Sequence, residues 1–175
     1  RVAAEKTVNL LAAPFSVCIP ISPADTAATL HDRLAMLGAD TLLQTLQQLA
    51  DHTLEPTRQD HDSATYAPLL KKQDGRIDWQ KAAKEIEPFI RGMTPWPGAF
   101  TFHNQNRLKI LKAAPLDEPV SEPAGFILKG FPDELVVATG KGALSILEIQ
   151  GPSGKRLAIA DFLRGYQLPP GTRLM

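Results

Sequence analysis

The chain has 175 residues, a formal net charge of zero and 43% apolar residues. This composition allows a packed core in one domain or two small ones, and it argues against a uniformly basic nucleic-acid binder. The single cysteine, Cys18, excludes an internal disulfide and is typical of a reducing compartment, and no run of about 18 apolar residues predicts a membrane span. We therefore expect a cytoplasmic protein.

The zero net charge conceals two halves of opposite sign. Residues 1–70 hold 4 basic and 8 acidic residues, a net charge of −4, whereas residues 71–175 hold 15 basic and 11 acidic residues, a net charge of +4. A basic half can attract phosphate groups, because their neutralisation releases counterions. The same residues also suit an ordinary solvated surface, so charge alone leaves both interpretations open.

The first element predicted within residues 1–64 is a strand. The alternation of Phe15, Val17, Ile19 and Ile21 in the stretch FSVCIPIS is typical of a short strand. Pro20 cannot donate a ladder hydrogen bond, so it places this strand at the edge of a sheet.

A long helix is predicted next. Asp25 is suited to cap it, because its side chain can accept the free amide N–H groups of the first turn. Gly38 within the helix indicates close packing against a neighbour or a break into two helices. The apolar residues of the helical stripe are Leu30, Leu34, Leu37, Leu42, Leu46 and Leu49.

The stretch TYAPLLKKQDGRIDW, residues 65–79, combines apolar ends with a basic centre. A plain surface loop does not need Tyr66, Ile77 and Trp79, and a core strand does not need a run of charged residues. The pattern therefore indicates a segment that is anchored at its ends and exposed in the middle.

A second helix and a stiff turn follow. Asp78 is a plausible N-cap for the helix WQKAAKEIEPFIRGM, and Pro88 should kink or shorten it. In the sequence TPWPGAF, Pro95 and Pro97 favour extended backbone on either side of Trp96. We expect Trp96 to be a buried aromatic anchor.

Residues 99–175 change to the pattern of short strands. Five or six strands and one short helix favour a small barrel, since closure removes exposed edges. The stretch ATGKGAL lies between two strands and is predicted to be a hairpin turn rather than a phosphate loop. The strands and the helix are AFTFH, RLKILKAAPL, GFILKG, ELVVATG, ALSILEIQ and LAIADFLRGY.

Catalytic patterns are absent from the sequence. The four histidines show no metal-ligand spacing, and no nucleophile elbow, Walker loop or dinucleotide fingerprint occurs. We therefore predict no catalytic residue and no metal site in this chain.

Six stretches resemble methionyl-tRNA formyltransferases in their order and spacing. The match runs from about Ile19 to the end, roughly nine-tenths of the chain, and each stretch is weaker evidence alone than all six together. The stretches are DTAATLHDRLAMLGADTLLQTL, ATYAPLLKKQDGRIDW, IRGMTPWPGAF, RLKI, LEIQGPSGKR and DFLRGYQLPPGTRL.

The resemblance implies an α+β chain in three parts. Residues 1–64 would be the tail of a Rossmann-like catalytic domain, residues 65–98 a helical linker region, and residues 99–175 an OB-like barrel with one short helix. Tyr66, Ile77 and Trp79 would hold the linker to protein on both sides.

The resemblance also implies a function. The family transfers a formyl group from 10-formyltetrahydrofolate to the methionine amino group of initiator methionyl-tRNA. Its catalytic and folate-binding motifs lie upstream of the matching region, so we expect a piece of a longer enzyme that binds no folate and is inactive alone. We expect a monomer whose basic residues contact the tRNA backbone, namely Lys71, Lys72, Arg76, Lys81, Arg91, Lys141, Lys155, Arg156 and Arg164.

Two alternatives remain open at this point. A formyltransferase that acts on a nucleotide sugar or a small amine shares the catalytic domain and a similar barrel. A non-catalytic OB-like module that binds RNA has the same barrel, and a barrel of this kind supports many functions. Binding of tRNA separates the first alternative from the tRNA enzyme.

Overall fold

The computed structural model describes residues 7–12, 15–55, 62, 65–130 and 132–175. The chain divides into two units, Arg1–Leu69 and Leu70–Met175. Within the described ranges, no helix has the length and the apolar character that a membrane crossing requires.

The first unit contains a hairpin and one helix. Strand β1 (Thr7–Ala12) pairs antiparallel with β2 (Phe15–Pro20), and helix α1 (Ala27–Ala50) follows. The predicted strand is therefore confirmed as β2, and Pro20 is its last residue. Strand β1 was not expected from the sequence.

Helix α1 is capped by Thr26 rather than by the predicted Asp25. The Thr26 hydroxyl accepts the amide N–H of Thr29, and the Thr29 hydroxyl oxygen accepts the amide N–H of Thr26. The Asp25 carboxylate instead accepts the amide N–H of Ser22 at 2.7 Å and pairs with Arg33 at 2.6 Å. The Ser22 hydrogen bond, helped by Arg33, lowers the pKa of Asp25 below its usual value.

The leucine stripe of α1 is only partly covered. The helix runs for 24 residues without a break at Gly38. Leu30, Leu34 and Leu37 are half-buried, whereas Leu42, Leu46 and Leu49 are exposed. The spacing therefore predicted the helix correctly but not the burial of its second half.

The second unit is a curled antiparallel sheet with two α-helices. Its elements are a 3₁₀ turn (Lys72–Gly75), α2 (Ala83–Met93), β3 (Ala99–His103), β4 (Asn106–Leu116), β5 (Ile127–Lys129), β6 (Leu135–Ala138), β7 (Ala143–Gln150), β8 (Arg156–Ala158) and α3 (Ile159–Gly165). The predicted strands and the short helix are confirmed. The order across the sheet is β3-β4-β7-β6-β5, and β8 pairs with the C-terminal end of β7.

The C-terminal residues link the two edges of this sheet. Phe102 on β3 and Met175 exchange two backbone hydrogen bonds, of 2.8 and 2.9 Å. One residue earlier, the amide of Leu174 donates to the carbonyl oxygen of Gly125, just before β5. Residues 172–175 therefore satisfy edge groups on both β3 and the β5 side, which an open sheet would leave unpaired.

The segment predicted as a linker region supplies part of the core of the second unit. Ile77, Trp79, Ile86 and Ile90 are buried in the same apolar cluster as the strands. The anchoring role of Ile77 and Trp79 is confirmed. That of Tyr66 is wrong, since its side chain is 91% exposed.

A buried hydrogen-bond chain joins this segment to the sheet. The indole N–H of Trp79 donates to the hydroxyl of Thr101 at 3.0 Å, and that hydroxyl donates to the carbonyl oxygen of Met175 at 3.0 Å. Both side chains are buried, so each polar group depends on the next for its partner.

Helix α2 begins five residues after the predicted cap. The Asp78 carboxylate accepts the amide N–H of Gln80, but the chain does not enter a helix there. Instead, Gly140 donates to the carbonyl oxygens of Trp79 and Lys81. This pairing takes the backbone groups that a longer helix would use, and α2 then continues through Pro88.

Trp96 is not the buried anchor that its flanking prolines suggested. Its side chain is 55% exposed, whereas Trp79 is 5% exposed. The loop packs through Pro97 and Gly98, which are buried, and the Gly98 amide donates to the carbonyl oxygen of Met93 at 2.8 Å. The backbone of the loop, rather than the indole, holds it in place.

The two tryptophans should therefore differ in their contribution to stability. We expect Trp79→Ala to lower the free energy of unfolding by about 3–5 kcal/mol, because it removes a buried ring and a buried hydrogen bond. Trp96→Ala should cost less than about 1 kcal/mol. Urea unfolding followed by circular dichroism measures both, and equal losses would contradict this packing.

Candidate functional site

The first group of predicted cations lies on the 3₁₀ turn and on the residues directly before and after it. Lys71, Lys72 and Arg76 are exposed, and the Asp74 carboxylate accepts the amide N–H of Lys71 at 2.7 Å. That hydrogen bond fixes the backbone of the turn and leaves the two lysine side chains in solvent.

The turn packs directly on strand β3. A Cβ atom on Gly75 would lie 2.2 Å from the carbonyl oxygen of Gly98 and 3.3 Å from the Phe100 ring, so only glycine allows this approach. The amide of Ile77 then donates to the carbonyl oxygen of Phe100 at 2.8 Å. The basic turn is therefore held against the sheet by backbone contacts.

Two further predicted cations meet at the turn between β6 and β7. The Gly140 amide donates to the carbonyl oxygen of Lys81 at 3.0 Å, and the Ala83 amide donates to that of Lys141 at 3.0 Å. Both lysine side chains are exposed. Lys81 also lines a small recess together with Arg76, which connects this pair to the first group.

The remaining predicted cations are placed differently. Lys155 and Arg156 follow β7, whereas Lys141 precedes it, and a strand of 8 residues spans about 26 Å. Arg156 pairs with Glu148 at 2.5 Å, and Arg164 pairs with Asp161 at 3.0 Å. The length of β7 therefore separates Lys155 and Arg156 from Lys141.

Arg91 is committed to its own helix. Its Nε lies 2.6 Å from the Glu87 carboxylate one turn earlier, and its side chain is only 19% exposed. This arrangement stabilises α2 and leaves little guanidinium surface for a ligand.

Two basic residues of β4 were not predicted as site residues. Arg107 lies over the ring of Phe100, with 3.7 Å between the guanidinium carbon and the ring centroid. The side chain of Lys109 packs against Gly98. A Cβ atom added to Gly98 would lie 3.3 Å from the Cδ atom of Lys109. The alternation in RLKI carries the signal, because buried Leu108 points inward and its half-buried basic neighbours lie on the opposite side of the strand.

Arg173 is a third basic residue that the sequence did not single out. It lies over the Phe126 ring, at 5.9 Å from the centroid. With Arg76 it lines a cleft of about 500 Å³. The other lining residues are Ile77, Asp78, Trp79, Gln80, Ala124, Leu174 and Met175.

The described lining of this cleft contains few acid–base groups. Transfer of a formyl group to an amine needs a positioned acid or base beside the amine. Asp78 supplies the one side-chain carboxylate among the lining residues, and one of its oxygens accepts the amide N–H of Gln80. Across the part of the chain that the structure describes, no group of three or more His, Cys, Asp or Glu side chains could hold a metal ion.

One protein family matches the chain. The matching model is the formyl transferase C-terminal domain, over residues 69–167. This range includes the basic turn, α2 and the sheet through α3.

The chain is also similar to curated relatives named methionyl-tRNA formyltransferase. One, from Caldanaerobacter subterraneus subsp. tengcongensis, is 45% identical over 156 residues, which cover 89% of this chain and 50% of the relative. Another, from Geobacter sulfurreducens, is 44% identical and is covered to 49%. The predicted resemblance is confirmed, and the chain spans about half the length of these relatives.

Solved structures with a similar fold are variants and complexes of HypX from Aquifex aeolicus. One variant has a TM-score of 0.62 at 18% identity and covers 86% of this chain and 28% of that chain. A complex with tetrahydrofolic acid has a TM-score of 0.61 at 18% identity, over 85% of this chain and 26% of that one. At this identity the likeness concerns the fold.

The contact that brings Lys81 and Lys141 together should depend on Gly140. A Cβ atom there would lie 1.8 Å from the carbonyl oxygen of Gln80. We expect Gly140→Ala to lower the free energy of unfolding by about 1–3 kcal/mol. The matched control is Gly92→Ala in α2, where an added Cβ meets nothing within 4 Å. This variant should raise the free energy of unfolding by about 0.5–1 kcal/mol. Denaturant unfolding tests the pair, and a neutral Gly140→Ala would contradict the close contact.

Proposed function

Because the chain belongs to the formyl transferase C-terminal domain family, we propose that it is the C-terminal part of a methionyl-tRNA formyltransferase. Its second unit contributes contacts to the sugar–phosphate backbone of initiator methionyl-tRNA. The names of the curated relatives support this substrate. They do not favour a nucleotide-sugar or small-amine formyltransferase.

The observation that carries the proposal is a set of exposed cations on a rigid support. These cations are Lys71, Lys72, Arg76, Lys81 and Lys141, which are all exposed. The backbone groups of Lys71, Arg76, Lys81 and Lys141 take part in hydrogen bonds within the 3₁₀ turn or at the turn between β6 and β7. Contacts of lysine and arginine with phosphates supply affinity and orientation but carry little sequence information. Selection of the initiator tRNA is therefore assigned to other parts of the enzyme.

The other predicted cations have weaker support. Exposed ion pairs contribute about 0–1 kcal/mol, so Arg156 and Arg164 can exchange their carboxylates for phosphates. We propose three secondary contacts with the tRNA backbone beyond the C-terminal end of β7, namely Lys155, Arg156 and Arg164. Arg91 has the weakest support, because its guanidinium is largely covered by α2.

The proposal includes a division of the chain that follows the family. Residues 1–64 are proposed as the tail of a Rossmann-like catalytic domain, residues 65–98 as the linker region and residues 99–175 as an OB-like domain. The core contacts of Ile77 and Trp79 mean that the second half of this linker packs with the OB-like domain.

The formyl donor in this proposal is 10-formyltetrahydrofolate. The cleft lined by Arg76 and Arg173 does not supply an acid–base pair for its reaction. The donor and the catalytic groups are accordingly assigned to the half of the relatives that this chain does not span, and the chain by itself is expected to give no formyl transfer. A cytoplasmic location and a monomeric state remain predictions.

A charge-removing triple variant tests the proposal. The chain should bind tRNA with a dissociation constant of about 10⁻⁴–10⁻⁶ M at physiological salt. Changing Lys71, Lys72 and Arg76 to Ala should weaken binding and flatten the slope of log affinity against log salt by about 2–3 units. Fluorescence anisotropy at several salt concentrations gives both values.

A second triple variant is the matched control. Changing Lys155, Arg156 and Arg164 to Ala removes the same formal charge, but two of these cations are paired with carboxylates. We expect a smaller change in slope than the first variant gives. If the first variant leaves affinity and slope unchanged, the basic turn is only a solvated surface and the proposal fails.

A further inference from the structure

The cleft lined by Arg76 and Arg173 opens where two chain segments meet the same strand. Arg76 forms a parallel bridge with Phe100 in the first half of β3. Further along β3, Phe102 exchanges two backbone hydrogen bonds with Met175 instead. Residues of both segments line the cleft, which has a volume of about 500 Å³. The cleft therefore belongs to the second unit and lies where the segment before α2 separates from the C-terminal residues.

This cleft combines an apolar floor with a polar rim. Ile77, Trp79, Ala124 and Leu174 line it and are buried. A small-molecule site usually has an apolar lining with a few polar groups that orient the ligand, in a volume of about 300–1,000 Å³. The polar residues of the rim are exposed, namely Arg76, Asp78, Gln80 and Arg173.

The Asp78 carboxylate is fixed through one oxygen and keeps the other for a ligand. Its Oδ1 atom accepts the amide N–H of Gln80 at 3.0 Å. Asp78 takes part in no ion pair of the described residues, and its Oδ2 atom has no donor among them. Because Asp78 lines the cleft, this second oxygen can accept a hydrogen bond from a molecule that enters it.

The two arginines of the rim have no acidic partner in the part of the chain that the structure describes. Each lies over a ring instead. The guanidinium carbon is 5.9 Å from the ring centroid both for Arg76 over Phe102 and for Arg173 over Phe126. An aromatic ring orients a guanidinium without using its N–H donors. Two positive groups and one negative group thus border the cleft without pairing with one another.

These three groups are complementary to the edges of a guanine nucleotide. The N1–H and 2-amino groups of guanine donate hydrogen bonds that a carboxylate accepts, and O6 with N7 accepts a bidentate contact from a guanidinium. A second guanidinium matches a phosphate group in charge and geometry. Adenine does not match, because it has an amino donor in place of O6 and no hydrogen on N1.

We propose that this cleft is a binding site for a guanine mononucleotide. Asp78 accepts hydrogen bonds from the N1–H and 2-amino groups, and the two arginines contact O6 with N7 and the phosphate. The volume of about 500 Å³ accommodates one nucleotide. This inference goes beyond the proposed function and does not depend on it, since Asp78 and Arg173 are not among the cations assigned to the tRNA backbone.

Binding of GMP and AMP to the whole chain is the first test. Isothermal titration calorimetry should give a dissociation constant for GMP at least about 10-fold lower than for AMP, because AMP leaves the carboxylate without its donors. Equal dissociation constants, or no saturable binding at millimolar GMP, would overturn the proposal.

The variant Asp78→Asn tests the carboxylate through a change of preference. It retains an oxygen for the Gln80 amide and places an N–H₂ group where the second carboxylate oxygen was. We expect GMP to bind at least about 10-fold more weakly, whereas XMP, which has a carbonyl in place of the 2-amino group, should bind more tightly than to the wild type. The matched control is Asp133→Asn, an exposed aspartate outside the cleft lining, which should leave both dissociation constants unchanged.

A second variant keeps the test independent of Asp78. Arg173→Gln should weaken GMP binding at least about 10-fold, since it removes a charge-assisted contact. Arg164→Gln, on α3 and outside the cleft lining, is its control. Urea unfolding verifies the fold of each variant. Unchanged GMP binding by a folded Arg173→Gln or Asp78→Asn variant would contradict the site.

An unpaired guanosine of an RNA presents the same base edges. Pentauridylates with a central guanosine or a central adenosine separate this source from the free nucleotide. If the guanosine oligonucleotide is preferred through Asp78 while GMP shows no preference over AMP, the base belongs to RNA and the mononucleotide assignment is overturned. If GMP binds with the expected preference in a chain that does not bind tRNA, the cleft is confirmed and the proposed function fails.

Discussion

The structure of the second unit depends on a buried chain of hydrogen bonds from Trp79 through Thr101 to Met175. It joins three stretches that are distant in sequence: the segment before α2, strand β3 and the C-terminal residues. A buried indole N–H without an acceptor would cost about 1–3 kcal/mol, so the three stretches are favoured together. Trp79 has a large apolar ring with a single hydrogen-bond donor. It can therefore bury the ring in the core while its indole N–H donates to Thr101.

This junction also determines where positive charge can lie. Once Ile77 and Trp79 are buried, the residues between the turn and α2 must run over the outside of the sheet, and their lysines and arginines face solvent. On β3, Ala99 and Thr101 face one side of the strand, and Phe100 and Phe102 face the other, where Arg107 and Arg76 lie over their rings. The same strands therefore supply core residues on one face and contacts to the basic residues on the other. A ligand that contacts this surface meets a rigid support, which lowers the entropic cost of binding.

Local sequence predicted the elements that depend on local periodicity and turn chemistry. The strands of the sheet and the glycine-rich turn before β7 follow from alternation and from their bounding residues. The start of α2 did not, because Asp78 is a good cap by its chemistry but Gly140 pairs with the preceding backbone. Trp79 and Trp96 could not be ranked, since burial depends on which residues the fold brings over each ring. Arg107 was missed because its partner Phe100 is found only through strand pairing.

The central claim is that the segment before α2 and the C-terminal residues are integral to the barrel-like unit, so that the basic surface is rigid before any ligand binds. Native-state amide hydrogen exchange tests it most directly. The amides of Ile77 and Met175, which donate to Phe100 and Phe102, should exchange with the same free energy of opening as Val137 in the central strand β6. Exchange of Ile77 and Met175 through a much smaller opening free energy than that of Val137 would contradict the account.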